Sequence, residues 1–206
     1  EVTTEVLAGG VSCKTVCVAL PDGQSWVLKQ ALARLRVSAE WCSDPARIHR
    51  EAAGLRWLGR LAPPGATVDF VFEDFPAHVL AMTAVPAPHT NWKTGLLARG
   101  PEADHATQFG RLLGTIHRQA ATQAAELVVE FGDLTFFDQL RLEAYYRAAA
   151  TSVPAAADFY GRLIADTLAN RVTLVHVDFS PKNILVHDGR LVLLDHEVVH
   201  WGDPGF

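Results

Sequence analysis

The stretch HVDFSPKN, residues 176–183, places an aspartate and an asparagine five positions apart in a loop that also contains a proline. A second aspartate, Asp195, ends an apolar run twelve residues after Asn183. The turn pair Asp188-Gly189 between two short β-rich runs predicts a hairpin, which returns both ends of the segment to the same edge. The sequence therefore predicts that Asp178, Asn183 and Asp195 lie close together.

Phosphoryl transfer uses these residue types in this arrangement. Asp178 could orient an acceptor hydroxyl and take its proton, as the catalytic base of such a reaction does. Magnesium prefers hard oxygen ligands, which the Asn183 amide and the Asp195 carboxylate supply. His176 is expected to brace the loop through hydrogen bonds. The pattern predicts a nucleotide-dependent phosphotransfer site.

A second chemistry competes for the end of this segment. The residues from His196 through Glu197 to His200 fit H-E-x-x-H, the zinc motif of metalloproteases. That chemistry needs a helix, so that both histidines share one face and the glutamate activates water. The strand-like run before Asp195 and the Gly202-Asp203-Pro204 break disfavour a helix here. A zinc hydrolase is therefore the weaker alternative.

The first part of the chain is rich in β-forming residues. Strands are predicted at residues 2–10, 13–20, 25–31, 68–73 and 79–83. The turn Pro21-Asp22-Gly23 joins the second and third strands as a hairpin. One helix is expected between them and the later strands, from the Ser43-Asp44-Pro45 start signal to about Leu61.

The pattern becomes helical after Pro86 and Pro88. Helices are predicted at about 102–121, 136–150 and 155–171, followed by short strands at 173–175, 184–187 and 191–194. This order predicts an α+β protein of two lobes. We expect a nucleotide-binding lobe at residues 1–84, a hinge at 85–91, and a helical lobe at 92–206 that carries the catalytic loop and the metal-binding hairpin.

Two features of the strand-rich part support a nucleotide site. Lys29 lies on the third strand and Glu51 lies in the following helix, the arrangement by which kinases hold a lysine at nucleotide phosphates. Gly9 and Gly10 lie between the first two strands, where free backbone NH groups could cradle phosphates. Each feature alone is weak, and together they favour phosphotransfer.

Composition narrows the classes of partner. The chain has 206 residues, 49% hydrophobic and 20% charged, with a formal net charge of -5. This is typical of a globular protein, and it makes nucleic acid an unexpected partner. No apolar stretch is long enough for a membrane helix. The three cysteines fit no zinc or disulfide pattern, so thiols in a reducing cytoplasm are expected.

The chain resembles the aminoglycoside phosphotransferase family, the small-molecule branch of the protein-kinase-like fold that also includes choline and methylthioribose kinases. The matching segments occur in the family's order and span nearly the whole chain. They are LAGGVSCKTVCV, DGQSWVLKQA, HREAAGLRWL, FGRLLGTIHRQA, HVDFSPKNILV and LLDHEVVHWGDP.

The resemblance implies a two-lobed protein-kinase-like fold, with a strand-rich N-terminal lobe and a mainly helical C-terminal lobe. It implies an O-phosphotransferase that uses ATP, or GTP, with Mg²⁺ and acts on a hydroxyl of a small molecule. Asp178 would be the base, and Asn183 and Asp195 the magnesium ligands. The implied nucleotide-binding residues are Gly9, Gly10, Ser12, Lys29, Glu51, Thr83 and Val85. Family members continue with further helices, so a chain ending eleven residues after Asp195 is expected to have an incomplete helical lobe.

Two departures from the family pattern keep another alternative open. Val177 stands where the family usually has glycine, and His196 stands where an aromatic residue usually follows the metal-binding aspartate. A nucleotide-binding protein with little or no transfer activity is the hypothesis they favour. The acceptor remains open among aminoglycosides, sugars, amino alcohols and nucleoside-like antibiotics.

Overall fold

The computed structural model describes residues 1–8, 10–38 and 41–206. Their contacts form two compact units. The first unit contains residues 1–115 and 178–197, and the second contains residues 116–177 and 198–206. These units differ from the lobes expected at 1–84 and 92–206, and that expected division stays a prediction.

A five-stranded antiparallel sheet dominates the first unit, in the order β1-β2-β3-β5-β4. β-Branched and apolar residues predominate in the strands, and the turn at Pro21-Asp22-Gly23 sets the β2–β3 register. Gly23 has φ +88°, a left-handed conformation that glycine adopts without strain. The strands are β1 (Thr3–Val6), β2 (Cys13–Ala19), β3 (Ser25–Ala31), β4 (Phe70–Asp74) and β5 (Val79–Thr83).

Helix α1 (Arg47–Leu61) packs against this sheet. Its buried Ile48, Ala52 and Leu55 join Leu80 and Met82 of β5 in one apolar core, and burying a side chain of leucine size contributes about 1.5–3 kcal/mol. The predicted start signal at residues 43–45 instead forms a turn, in which Asp44 Oδ1 accepts a hydrogen bond from Ala46 N. The helix therefore begins two residues after the predicted proline.

A smaller sheet of the first unit has the order β6-β8-β9. It consists of β6 (His89–Asn91), β8 (Ile184–His187) and β9 (Arg190–Leu193). The predicted hairpin turn at Asp188-Gly189 is present, and both residues have positive φ, as a two-residue turn with right-twisted strands requires. A 3₁₀ turn at Pro181–Asn183 leads directly into β8. Helix α2 (Trp92–Arg99) and the start of α3 (Ala103–Thr122) complete this unit.

The second unit is mainly helical. It contains the end of α3, then α4 (Ala124–Phe131), α5 (Thr135–Phe137), a π-helix (Asp138–Arg147), α6 (Ala148–Ser152), a 3₁₀ turn (Pro154–Ala156) and α7 (Ala157–Ala169). Strands β7 (Thr173–Val175) and β10 (His200–Gly202) pair antiparallel in this unit. Phe131, Phe137 and Leu142 are fully buried in it.

Most predicted elements are present, with shifted ends. The helix predicted at 136–150 is instead three consecutive pieces with a π-helix in the middle, because i→i+5 hydrogen bonds replace i→i+4 bonds over Asp138–Arg147. Strands β6 and β10 and helices α2 and α4 were not predicted from the sequence. None of the described helices is both long and apolar enough to cross a membrane.

Candidate active site

A cavity of about 960 Å³ lies within the first unit. Its walls come from β1 to β3, from the segment after β5, and from the hairpin β8–β9 with the residues that flank it. Apolar side chains from several of these segments line it: Val27, Val68, Met82, Val85, Leu185 and Leu194. A concave site with apolar walls and a few polar groups is the usual form of a small-molecule site.

Three charged residues meet at one wall of this cavity. Lys29 Nζ lies 2.6 Å from Glu51 Oε1 and 2.7 Å from Asp195 Oδ1. Strand β3 supplies the lysine, α1 supplies the glutamate, and Asp195 follows β9. The glutamate side chain is 1% exposed and the lysine side chain is 13% exposed. The pairing predicted between Lys29 and Glu51 is therefore present, and Asp195 joins it.

Burial and charge act against each other on this cluster. Burial alone would lower the pKa of Lys29, but the carboxylates of Asp195 and Glu51 outweigh it and hold that pKa well above its ordinary value. Burial raises the pKa of Glu51 to about 7, against the opposing effect of Lys29. Lys29 is therefore a fixed positive charge at neutral pH, next to a carboxyl group that titrates near neutrality.

The glycine-containing loop between β1 and β2 borders the same cavity. Gly10 and Ser12 line it, and Gly10 has φ +85°. Gly9, the other predicted glycine, lies outside the described residues. The loop is anchored through Ser12, whose carbonyl accepts a hydrogen bond from Leu32 N at 2.9 Å. An NH-rich turn of this kind can bind an anion.

The end of β5 and the residues after it border the cavity at Thr83, Ala84 and Val85, and Thr83 and Val85 are two of the predicted nucleotide-binding residues. Ala84 N donates to Ser25 O at 2.8 Å, and Thr83 N donates to Asp69 O at 2.9 Å. These bonds tie the segment to β3 on one side and to the residues before β4 on the other. Its backbone is therefore held in place along the cavity wall.

The residues of the predicted catalytic loop that lie in the first unit are joined by short-range hydrogen bonds. Asn183 Nδ2 donates to Asp178 O at 3.0 Å, and Ser180 Oγ donates to Asp178 Oδ1 at 3.3 Å. Lys182 Nζ forms an ion pair with Asp178 Oδ2 at 2.8 Å. Asn91 Nδ2 donates to Lys182 O at 2.7 Å and so holds the turn from outside. The loop is a compact unit around Asp178.

Asn183 and Asp195, the predicted metal ligands, border the same cavity. Leu194 N donates to Asn183 O at 2.9 Å, so the backbone links the two positions. Because Asn183 uses its amide nitrogen on Asp178 O, its amide oxygen is the atom suited to a cation. This donor set of carboxylate and amide oxygens fits Mg²⁺. His176, the predicted bracing residue, is buried in the second unit.

The H-E-x-x-H hypothesis does not fit the structure. Residues 194–199 contain a turn at 197–198 and no helix, and His200 begins β10. Glu197 pairs with Arg47 at 3.2 Å, and His200 Nδ1 lies 3.0 Å from Val198 O. In the described part of the chain, no three His, Cys, Asp or Glu side chains are grouped so as to hold a metal ion. The helical geometry that this zinc chemistry needs is absent from the segment.

Two charged residues of the site and most of its apolar wall were not predicted from the sequence. Arg47 and Lys182 were not assigned a role, although each forms an ion pair with a residue of the 176–197 segment. Lys182 directly precedes Asn183, and that position was its only local signal. The apolar wall residues come from separate strands, and no local pattern relates them.

The comparisons with known proteins agree with this geometry. The model of the phosphotransferase enzyme family (APH) matches residues 3–206. The chain therefore belongs to the phosphotransferase enzyme family. No curated protein sequence matches it.

Solved structures share the fold at low sequence identity. Choline kinase LicA from Streptococcus pneumoniae is 18% identical with a TM-score of 0.56, over 99% of this chain and 66% of that one. The ternary complex of streptomycin, ATP and APH(2")-IIa is 17% identical with a TM-score of 0.57, over 98% and 68%. Macrolide 2'-phosphotransferase MphH from Brachybacterium faecium is 20% identical with a TM-score of 0.54, over 98% and 68%. The chain thus has the protein-kinase-like α+β fold, and it spans about two thirds of the length of these structures.

Proposed function

We propose that this chain is an O-phosphotransferase that moves the γ-phosphoryl group of ATP to a hydroxyl of a small molecule. The observation that carries the proposal is Lys29, held between Glu51 and Asp195 on the wall of the 960 Å³ cavity. A lysine fixed between two carboxylates presents a permanent positive charge to a nucleotide phosphate. Asp195, the proposed metal ligand, then lies beside that phosphate-binding lysine.

The nucleotide is proposed to occupy this cavity. Its apolar walls suit a purine base, with the backbone of Thr83 and Val85 along one edge. Lys29 and the loop of Gly10 and Ser12 lie where phosphates would need positive charge and NH donors. Gly9 is proposed to belong to the same loop on sequence grounds. GTP in place of ATP is the alternative for the base.

Asn183 and Asp195 are proposed to hold Mg²⁺, which neutralises charge on the phosphates when bound. Asp178 takes the proton of the acceptor hydroxyl. The acceptor oxygen then bonds to the γ-phosphorus as the bond from phosphorus to the β–γ bridging oxygen breaks, and the nucleoside diphosphate leaves. Alignment of the reacting oxygens and electrostatic neutralisation contribute most of the rate. His176 is proposed to brace this loop.

The similar structures support the nucleotide and the acceptor class. One of them is a complex with ATP and streptomycin. Two others are named as a choline kinase and a macrolide 2'-phosphotransferase. Each of those names implies a small acceptor. The acceptors that these names imply differ from one another. The proposal for this chain is therefore the class that they share, a small molecule with a hydroxyl group.

The test is thermal unfolding with Mg·ATP for the native chain and for Asp195→Ala. A ligand that binds only the folded state at a hundred times its Kd adds about 2.7 kcal/mol to the free energy of unfolding. We expect a higher Tm for the native chain and no rise for Asp195→Ala. Asp166→Ala, which removes an exposed carboxylate of α7, should keep the full rise. A native chain unaffected by millimolar Mg·ATP or Mg·GTP overturns the proposal.

A second candidate is nucleotide binding without transfer. Val177, which precedes the proposed base, has φ +69°, a conformation that costs a β-branched residue about 1–3 kcal/mol. Such strain next to Asp178 could misplace the carboxylate. The test measures ADP release with a panel of hydroxyl acceptors. This candidate is favoured if Mg·ATP raises the Tm but no acceptor raises ADP release above the acceptor-free rate.

A further inference from the structure

Arg47 has a fully buried guanidinium, and every one of its five N–H groups has an acceptor. Nε donates to Glu197 Oε2 at 3.2 Å. The other four donate to backbone carbonyls: those of Ser12, Leu32 (2.9 Å), Ser43 (3.1 Å) and Asp44 (3.2 Å). A single side chain at the start of α1 therefore joins the loop before β2, the end of β3, the turn before α1 and the segment after Asp195.

Glu197 is the one acidic partner of Arg47 among these acceptors, and it is close to the Lys29 cluster. Burial is the main cause of the raised pKa of Glu51 and of the Cys13 thiol, and the carboxylates of Asp195 and Glu51 are the main cause of the raised pKa of Lys29; the charge of Glu197 adds a smaller increase to all three. Two cations and three carboxylates therefore lie in this region, and Asp195 is the most exposed among them. Lys29 pairs with Glu51 and Asp195, and Arg47 pairs with Glu197.

We infer that Arg47 is a positioning residue of the active site, which neutralises Glu197 and so leaves Lys29 to Glu51, Asp195 and the nucleotide. An unpaired buried carboxylate is strongly unfavourable, and it would seek the nearest cation. Lys29 is a cation on which the charge of Glu197 already acts. Glu197 without Arg47 would compete for Lys29 and add negative charge where nucleotide phosphates are proposed to bind. The inference rests on the proposed function for this last step.

Lysine could not replace Arg47 in this position. An ammonium group has three donors at one point, whereas the planar guanidinium reaches four carbonyls and one carboxylate in different directions. Two of these carbonyls, Ser12 O and Leu32 O, anchor the proposed phosphate loop to the end of β3. The choice of arginine therefore combines charge neutralisation with the anchoring of that loop.

The test measures Mg·ATP affinity for the native chain, Arg47→Met, Glu197→Gln and the double variant. Arg47→Met should weaken binding at least ~10-fold, and adding Glu197→Gln should recover most of that loss. Glu197→Gln alone should bind as tightly as the native chain. A role of Arg47 limited to anchoring the loop predicts no recovery, because the four carbonyls stay without their donor in both variants. The absence of recovery would overturn the inference.

Glu197→Asp gives a second test if Arg47→Met does not fold. The aspartate keeps the negative charge, but its side chain is one methylene shorter, so the carboxylate lies farther from Arg47. We expect Mg·ATP to bind at least ~3-fold more weakly to Glu197→Asp than to Glu197→Gln. Equal or reversed affinities would overturn the inference, since a negative charge withdrawn from Arg47 must oppose Mg·ATP more than a neutral amide does, and equal urea stability of the two variants excludes a packing loss as the cause.

Failure of the proposed function can be told apart from failure of this inference. A native chain that binds no nucleotide overturns the proposed function. Urea unfolding without nucleotide then tests whether Arg47 neutralises Glu197. The double variant Arg47→Met/Glu197→Gln should unfold at a higher urea concentration than Arg47→Met, because the unpaired carboxylate is gone. Equal or lower stability of the double variant would overturn the inference.

Discussion

Lys182 Nζ lies 2.8 Å from Asp178 Oδ2, within the turn that contains the proposed base and the proposed metal ligand Asn183. The lysine side chain is 54% exposed and the aspartate side chain is 17% exposed. Lys182 also borders the cavity, as Lys29 does. Lys29 is buried between two carboxylates, so Lys182 is the lysine whose side chain is freer to move onto a bound phosphate.

Lys182→Met is therefore expected to lower kcat by about 10²-fold, the effect of removing one donor aimed at charge that develops in the transition state. Its effect on unfolding should be small, about 0–1 kcal/mol, since exposed ion pairs contribute little. Steady-state kinetics with a reactive acceptor and urea unfolding measure the two quantities. Lys182→Arg should retain most of the rate.

Lys93→Met is the matched control, because it removes an exposed lysine on α2 that does not border the cavity. It should leave kcat unchanged. A Lys182→Met enzyme with native kcat, or one whose kcat loss matches a loss of folded protein, would contradict the prediction.

The local parts of the fold were predictable from sequence. The turns at Pro21-Asp22-Gly23 and Asp188-Gly189 contain residues that suit tight turns, and both hairpins are present. The β7 strand was predicted with its observed bounds, Thr173–Val175. In these regions, short-range patterns and turn chemistry point to the same structure.

The missed elements have weak local patterns. Strand β6 is the three-residue stretch His89–Asn91, and its conformation comes from pairing with β8 far along the chain. Helix α2 is eight residues long and mostly exposed, so it lacks a clear apolar stripe. The π-helix over Asp138–Arg147 has no sequence signal that separates it from an α-helix.

The site was predictable where residues follow a motif and not where they act through tertiary contacts. Lys29, Glu51 and Asp195 were singled out from order and spacing, and they lie within 2.7 Å ion-pair contacts. Arg47 was not, because four of its five acceptors are backbone carbonyls, which have no sequence signature.

Val177→Gly is expected to stabilise the chain. Valine at φ +69° is strained, whereas glycine adopts this conformation freely. The relief exceeds the extra entropy of an unfolded glycine, so the free energy of unfolding should rise by about 1 kcal/mol and Tm by about 2–4 °C. Calorimetry of both proteins measures this. Val186→Gly, in strand β8, should instead lower Tm, and a Val177→Gly protein that behaves the same way would contradict the prediction.

The raised pKa of Glu51 predicts how the free energy of unfolding depends on pH in the metal-free protein. Its pKa is about 7 in the folded chain against 4.5 as the ordinary value, so the folded state holds the proton more tightly. Below pH 4.5 both states are protonated. Between 4.5 and 7 the unfolded state loses the proton first, so the native chain loses stability as pH rises, by at most about 1.4 kcal/mol per pH unit.

Glu51→Gln cannot titrate, so the stability of the native chain minus that of Glu51→Gln should fall from pH 5 to 7 and level off above 8. Urea unfolding at each pH gives this difference. Glu126→Gln, an exposed change on α4, controls for the loss of one carboxylate. A difference that is flat or rises from pH 5 to 7 would show that Glu51 is ionised throughout.

The three cysteines should report on the cavity through their rates of alkylation. Cys42 is exposed, whereas burial raises the pKa of Cys13 to about 11, and the thiolate is the reactive form. Iodoacetamide at pH 8, followed by peptide mass spectrometry, should label Cys42 first and Cys13 last. Cys17 borders the cavity, so saturating Mg·ATP should slow its labelling and leave Cys42 unaffected. Equal slowing at both sites would indicate a global change in the protein, and an unchanged Cys17 rate would place the nucleotide elsewhere.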